Sequence, residues 1–513
     1  MGYRRHDPPT PLLIGYDPCV DLPNDHLARL VEMVVNEAVQ APENAGGPGQ
    51  PAFDPRLCIK VLIYGYSTGV RSSRQLEKHC HESLPYLLLT RGDSPSYRTL
   101  CSARIDFGDL LEEAWTALYA VASASGMQRM GRIVVDSCKL RANASPEMVI
   151  VPDEYAQVRS ALKEILAEVQ SIDAHEDVEG YEGETKTGKI VDKCQMRDIV
   201  RKVRKSARRQ EPCEDDEESA ASQSMPTSRM VERVQEAISA IDEAESEGRK
   251  HLCLTDPDAR MMHGGREKKV RECHSLEVAV DRDCGLLVAD SVTQVGNDND
   301  RLESLVEAAR SNEPCAVRAV DGDSGYFSAD SISRLASKGI DLCIPDSNTA
   351  SELHRGLPIG SLWRRCSLSF DYDEKLDAYR CPHGNTLVCR GSKGEIGMLQ
   401  KLYRAQRSCL GCPSYSECLV RLDGKQAKSK YKSFSYRERG ADLAALLNRF
   451  SEPEHRERYR ERGSIVETIF GFIRAVLGYD RWLLRGADRV KNEGKLIALG
   501  YQFRKVALIW DTA

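Results

Sequence analysis

Nowhere in its 513 residues does the chain hold an uninterrupted run of about 18 apolar residues, the length a membrane-spanning helix needs. Its opening, MGYRRHDPPTPLLIGY, lacks the apolar centre of a secretory signal. Membrane and secreted classes are therefore excluded, and a cytoplasmic protein is expected. A disulfide framework is lacking too. Most of the 18 cysteines stand singly in apparent strands and helices, as Cys58, Cys101, Cys253, Cys284 and Cys343 do, and a chain this long does not need staples. The chain also has no overall excess of positive charge. Its net charge of −6 argues mildly against a nucleic-acid partner.

What is present changes that last inference. Residues 401–513 carry 23 Lys/Arg against 13 Asp/Glu, a balance of +10, while residues 151–250 carry 16 against 24, a balance of −8. The C-terminal quarter can thus meet a polyanion, although a charged surface helix gives a milder version of the same excess. With 41% apolar and 29% charged residues the chain is globular, with enough material for one large core or two to three ordinary ones.

Residues 24–125 read as helical. Asp54-Pro55 is a helix start with proline in the first turn, Gly69 offers a stop, and further helices follow around SSRQLEKHC and from Ser96. Arg71, Arg74, Lys78, Arg98 and Arg104 lie on the later two. They suit either a helix-turn-helix DNA-binding unit or a plain helical bundle with a solvated basic face. From Arg132 the apolar period changes to two. Strands are expected at 132–136, 138–142, 275–281, 285–293, 316–321 and 341–345, with a helix at 328–338, which makes a mixed α/β domain. Two inserts interrupt it. The first, about 150–255, has helical periodicity in ALKEILAEVQSI and MVERVQEAISAIDEAE around a stretch, KSARRQEPCEDDEESAASQS, with almost nothing to bury. The second, about 346–440, carries a cysteine cluster.

Three acids draw attention. Asp136 ends the β-branched run Ile133-Val134-Val135, where burying a carboxylate is costly unless it is paired, hydrogen-bonded or metal-bound. Asp323 follows the strand AVRAVD in the turn DGDSGYFS, where Gly322 and Gly325 are expected to turn the chain sharply at the strand end. Glu467 lies on the expected helix SIVETIFGFIRAVLG, in a stripe with Gly471, Arg474 and Gly478 at helical spacing. Three carboxylates on two strand ends and one helix suit Mg²⁺ or Mn²⁺ for phosphoryl chemistry. Each also has a plain structural role open to it: a strand-end acceptor, a turn residue, a surface partner of Arg474.

Taken with DPRLCIKVLIYGYSTGVRSSRQLEKHC (54–80), DSCKLRANAS, TDPDARMM (255–262), VDGDSGYFS, YRERGSIVETIFGFIR (459–474) and LLRGADRVKNEGKLIALGYQFRKV, the sequence resembles bacterial insertion-sequence transposases of the DDE class. The resemblance implies a ribonuclease-H-like mixed sheet with flanking helices, an N-terminal helical DNA-binding domain at 1–125, core segments at 130–150, 256–345 and 441–513, and insertions at 151–255 and 346–440. It implies Asp136, Asp323 and Glu467 as catalytic ligands of Mg²⁺ or Mn²⁺, with Asp323 preferred to Asp321 because only Asp323-Ser324-Gly325-Tyr326 fits the family's D-x-G-Y pattern. DNA contacts are expected from Arg71, Arg74, Lys78, Arg98, Tyr459, Arg462 and Arg474. Three departures stand out: arginine at 474 where many relatives have lysine, an arginine that in the wider class lies one residue nearer the glutamate than here, and Ser137-Cys138 where Gly-Thr is common. The implied activity is cleavage of phosphodiester bonds at the ends of the element and joining of the 3′-OH ends to target DNA, near the bacterial nucleoid and through a homodimer at synapsis. The alternative is a catalytically inactive, transposase-derived DNA-binding repressor.

Cys381, Cys409, Cys412 and Cys418 complete the sequence-level picture. Cys409-Leu-Gly-Cys412 is a C-x₂-C pair with further thiols within reach, and four such donors suit structural Zn²⁺. Related transposases carry a similar pattern in this insertion. A reduced, merely buried set is the other reading.

Overall fold

The computed structural model describes residues 17–40, 52–127, 131–179, 200–201, 227–264, 269–295, 301–311, 317–364, 366, 368–393, 400–419, 429–437 and 441–510. Its central sheet is built on one long strand, β1 (Arg132–Arg141), where two short strands were expected. The reason is local. Ser137-Cys138 contains no glycine or proline to turn the chain, Cys138 and Leu140 continue the buried alternation, and the antiparallel register with the later strand of residues Lys269–Asp281 is unbroken from Ile133↔Asp281 to Arg141↔Cys273.

A strand pair that the sequence did not suggest, β2 (Val149–Ile150) with β3 (Leu252–Cys253), closes the base of the first insertion. Next come β4 (Arg260–Gly264), also not foreseen, and β5 (Lys269–Asp281), which starts earlier than expected. Then follow β6 (Leu287–Thr293), β7 (Ala319–Gly322) and β8 (Asp341–Cys343). Strands β6, β5 and β1 are antiparallel neighbours, β7 and β8 continue the sheet parallel to β1, and β4 pairs with β5. A helix at Ala329–Ser337 makes the β7–β8 crossover, as its apolar spacing predicts.

Among the described residues seven helices precede the sheet: α1 (Pro18–Asp21), α2 (Leu27–Ala38), α3 (Pro55–Ser67), α4 (Ser73–Glu82), α5 (Leu84–Thr90), α6 (Tyr97–Asp106) and α7 (Gly108–Ala124). Asp54 caps α3 by accepting the Arg56 N–H at 2.9 Å, and Ser96 caps α6 by accepting the Thr99 N–H at 3.2 Å. Almost every residue of α3 is buried. That burial is not self-contained. A helix at the far end of the chain, Ala487–Trp510, lies between the N-terminal helices and the sheet, and Leu62, Leu118, Leu276, Val466 and Leu499 belong to one continuous core. The apolar face of the helices expected at 1–125 is thus completed by residues from the other end of the sequence.

The first insertion pairs α8 (Pro152–Glu179) with α9 (Thr227–Ser246) around its own small core of Tyr155, Val158, Leu162 and Ile241. The KSARRQEPCEDDEESAASQS stretch lies outside the described residues. The second insertion holds a five-stranded antiparallel sheet, β9 (Asp371–Asp373), β10 (Ala378–Arg380), β11 (Thr386–Lys393), β12 (Gln400–Ala405) and β13 (Ser433–Arg437), over Tyr379, Leu387, Tyr403 and Phe434. Among the described residues no helix is long and apolar enough to cross a membrane.

Candidate active site

Strands β1 and β7 run parallel with Val134 opposite Asp321 and Val135 opposite Gly322. One step further along this register stand Asp136 and Asp323. There β7 ends while β1 continues, so the acids flank the point where the sheet opens beyond a strand terminus. Val134, Cys138 and Leu140 feed the large core on one side of the sheet, and Asp136 shares their parity. Its carboxylate accepts the Ser137 N–H at 2.7 Å and keeps 21% of its side chain exposed. Asp323 opens a single 3₁₀ turn and accepts the Gly325 N–H at 2.9 Å, with Tyr326 buried beneath it. Neither neighbouring glycine has the positive φ expected of a sharp turn. Gly322 serves close packing instead, since a Cβ there would sit 3.0 Å from the Val135 side chain and 3.3 Å from that of Ile344.

A helix at Pro453–Gly471, here α10, packs across β1, β7 and β8. From it Arg462 reaches Asp136 at 3.4 Å and lies 5.2 Å from the ring centroid of Tyr459. Burial raises the Tyr459 hydroxyl pKa; Arg462 opposes that shift and the nearby Asp323 charge adds to it. Arg462 and Tyr459 therefore lie among the acids. Glu467 is exposed on the same helix, and Gly463, one turn earlier, would bring even a Cβ within 3.8 Å of its carboxylate. The expected stripe of Glu467, Gly471, Arg474 and Gly478 is corrected. Regular α-helix stops at Gly471, a π-turn spans Phe472–Val476, and Gly478 lies beyond it at φ 74°. The wider turn sends Arg474 to the Lys139 carbonyl on β1, at 2.9 Å.

Sequence reasoning missed a second charged group beside these acids. Asp321, 2% exposed, accepts from Arg458 Nε at 2.7 Å and from Arg282 at 2.9 Å. Arg458 also binds Asp341, which Arg449 holds at 2.6 Å, and Arg282 also binds Glu461. Burial opposes ionisation of Asp341, but the two guanidiniums keep its carboxyl below the ordinary range. The one hint in the sequence was the arginine-rich start of α10, whose partners are far away in the chain.

The expected DNA-contact residues of the N-terminal helices divide. Arg71 is turned inward: it donates to the Arg481 carbonyl at 2.5 Å, lies 5.0 Å from the Tyr479 ring centroid and is 18% exposed. It ties the α3–α4 turn to the C-terminal segment, a structural part beside the DNA contact expected of it. Arg74 and Arg98 are exposed and flank Tyr97 at 5.2 and 5.8 Å, while Lys78 is exposed and pairs with Glu82 one turn along α4.

The four expected zinc ligands, Cys381, Cys409, Cys412 and Cys418, line one cavity of about 280 Å³ together with His383. The Asn385 N–H donates to Cys381 Sγ at 3.2 Å and the Lys432 N–H to Cys409 Sγ at 3.4 Å. Cys418 is engaged with a cysteine that spacing gave no reason to choose, Cys366, whose thiol pKa is lowered by that hydrogen bond and by Lys432 against the effect of burial. Among the described residues no three His, Cys, Asp or Glu side chains are placed to hold a metal ion, so the expected tetrahedron is not formed. The same holds for the acid trio. Asp136 and Asp323 fit a divalent ion as a pair of hard oxygen donors at adjacent register, in a place that already attracts the Arg462 guanidinium, and Glu467 is on the helix above them without closing a three-ligand set.

Residues 19–106 match a family model described as Transposase domain (DUF772), and residues 380–507 match one described as Transposase DDE domain. The second span contains Tyr459, Arg462, Glu467 and Arg474; Asp136 and Asp323 lie outside both. No curated protein matches the chain.

Proposed function

From the premise that this chain belongs to the insertion-sequence transposases, with a DUF772 transposase domain and a DDE transposase domain, we propose that it binds the ends of its own element and breaks and rejoins phosphodiester bonds at Asp136, Asp323 and Glu467. The observation that carries this reading is the β1–β7 register, which leads to Asp136 beside Asp323 at the open end of the sheet under α10. The order β6-β5-β1-β7-β8, with the last two strands parallel to β1, supports the ribonuclease-H-like assignment.

Asp136 and Asp323 would hold Mg²⁺ or Mn²⁺, with Glu467 as the third donor. A bound ion there supplies positive charge to the oxygens of an in-line phosphoryl displacement. The protein's own part is to hold two carboxylates rigidly on a sheet, to present Glu467 on a packed helix and to keep guanidinium charge from Arg462 and Arg474 close to the phosphate. No side chain forms a covalent intermediate. Arg74, Arg98 and Lys78 on α4 and α6 are the proposed contacts to the terminal repeat, and two element ends brought together call for two copies of the chain. Zinc in the cysteine-lined cavity is a secondary proposal, supported by the donor chemistry and by the two N–H···S bonds and not by the spacing. Metal analysis of the full-length protein decides it: about one zinc per chain supports it, and metal-free protein with an intact insertion removes it.

The function is tested by incubating the full-length protein with a labelled duplex carrying the element's terminal repeat. Cleavage in Mg²⁺ that stops on chelation supports the reading. Repeat-specific binding with no cleavage in either Mg²⁺ or Mn²⁺ would leave a DNA-binding repressor.

A further inference from the structure

We propose that Arg458 is a positioning residue: with Asp321, Asp341, Arg282 and Glu461 it fixes the seat of α10 on the sheet and so sets where Glu467 stands above the strand-end carboxylates. This rests on the assignment of Asp136, Asp323 and Glu467 as the site.

The geometry is specific. Arg458 approaches Asp321 on β7 with both Nε, at 2.7 Å, and Nη2, at 2.5 Å, and uses Nη1 for Asp341 at the start of β8. Arg282, just after β5, approaches the other oxygen of Asp321 at 2.9 Å and returns to α10 at Glu461. One helix is thereby referenced to three strands. A slide of α10 by a single residue moves each side chain about 1.5 Å along the axis and turns it by roughly 100°, which would remove Arg458 from both aspartates.

Stability alone does not explain the arrangement, because a buried ion pair is often no better than apolar residues of the same volume. What a forked guanidinium between two carboxylates provides is one allowed placement. That placement is transmitted along the chain in both directions. Asp321 lies two residues before Asp323, opposite Val134, which lies two residues before Asp136. Arg458 and Glu467 belong to one α-helix without a break. Beyond it Arg474 ties the π-turn to β1, so Glu467 is held from both sides.

The test uses full-length Arg458→Lys, Arg458→Gln and Asp341→Asn, with Leu162→Ala in the separate core of the first insertion as a destabilised control. Mn²⁺ binding to the DNA-free protein is measured by calorimetry beside thermal melts. The expected result is Mn²⁺ affinity weakened about 10- to 100-fold in Arg458→Gln, less in Arg458→Lys and Asp341→Asn, and unchanged in Leu162→Ala despite its lower melting temperature. If Arg458→Gln does not fold, the two milder variants decide. Unchanged Mn²⁺ affinity in the Arg458 and Asp341 variants, or a loss that follows melting temperature in Leu162→Ala as well, overturns the proposal. Asp323→Asn and Glu467→Gln separate the two claims. Should both bind Mn²⁺ as the wild type does, the site assignment fails; should they lose it while the Arg458 variants do not, only the positioning role fails.

Discussion

Gly500 and Tyr66 meet backbone to backbone: a Cβ on Gly500 would lie 2.8 Å from the Tyr66 carbonyl carbon and 2.9 Å from its oxygen. This contact seats the C-terminal helix against α3. Gly500→Ala should therefore force the two helices apart and cost about 1–3 kcal/mol. Because both belong to one core with the sheet, calorimetry should show the whole main transition shifted down, with no early melting of the N-terminal helices alone. A separate N-terminal transition would show that these helices fold on a core of their own.

The division among the N-terminal arginines gives a second prediction. Arg74→Ala, Arg98→Ala and Lys78→Ala should each weaken binding to the terminal repeat and reduce the salt dependence of log K by about one unit, as expected when a phosphate contact is lost. Arg71→Ala should instead lower the melting temperature with little change in that slope, since its guanidinium is engaged by Arg481, Tyr479 and Glu493. Titrations at several salt concentrations distinguish the two classes. A reduced slope in Arg71→Ala alone would reverse the assignment.

Asp321 is the acid closest in sequence to Asp323, and its amide looks like a mild change. The structure predicts otherwise. Asp321→Asn leaves Arg458 and Arg282 without their shared carboxylate at a 2% exposed position, and breaking a buried pair from one side costs about 3–5 kcal/mol. Denaturant melts should show that loss, whereas Asp323→Asn, at a partly exposed position, should melt close to wild type. Equal stability of the two variants would contradict the roles given to these aspartates.

A fourth prediction concerns acid. His455 is 4% exposed, its Nε2 has no hydrogen-bond partner among the described residues, and burial, then the charges of Arg449 and Arg458, lower its pKa from 6.5 to about 4. The folded form thus binds this proton less readily than the unfolded chain. Its contribution is complete above pH 6.5 and is lost as pH falls towards 4. His455→Leu should flatten this part of the melting-temperature profile, and an identical acid limb in variant and wild type would show that other groups control it.

The period-two runs of the sheet and the starts of α3 and α6 were legible in the sequence because each depends on residues a few positions apart. What was not legible depends on distant partners. Splitting β1 at Ser137-Cys138 overlooked that β5 pairs with it throughout. Arg71 read as a surface residue because Arg481 and Tyr479, its partners, lie some 400 positions away. Arg458 carried no local signal, since Asp321 and Asp341 lie 137 and 117 positions away, and Cys366 stood outside any ligand spacing. Gly322 was rightly singled out for the wrong physical reason. The π-turn after Gly471 had no local signal, and it removed Gly478 from the stripe built on Glu467.

Everything proposed for the chemistry depends on Asp136, Asp323 and Glu467 acting together, and one measurement addresses that directly: cleavage of a labelled terminal-repeat duplex in Mg²⁺ by Asp136→Asn, Asp323→Asn, Glu467→Gln and wild type, with repeat binding and melting temperature recorded for each. The account predicts that all three variants fold and bind the repeat while cleavage falls by roughly three orders of magnitude or more, with Mn²⁺ restoring part of it in the least affected. Variants that fold, bind and cleave at the wild-type rate would contradict it.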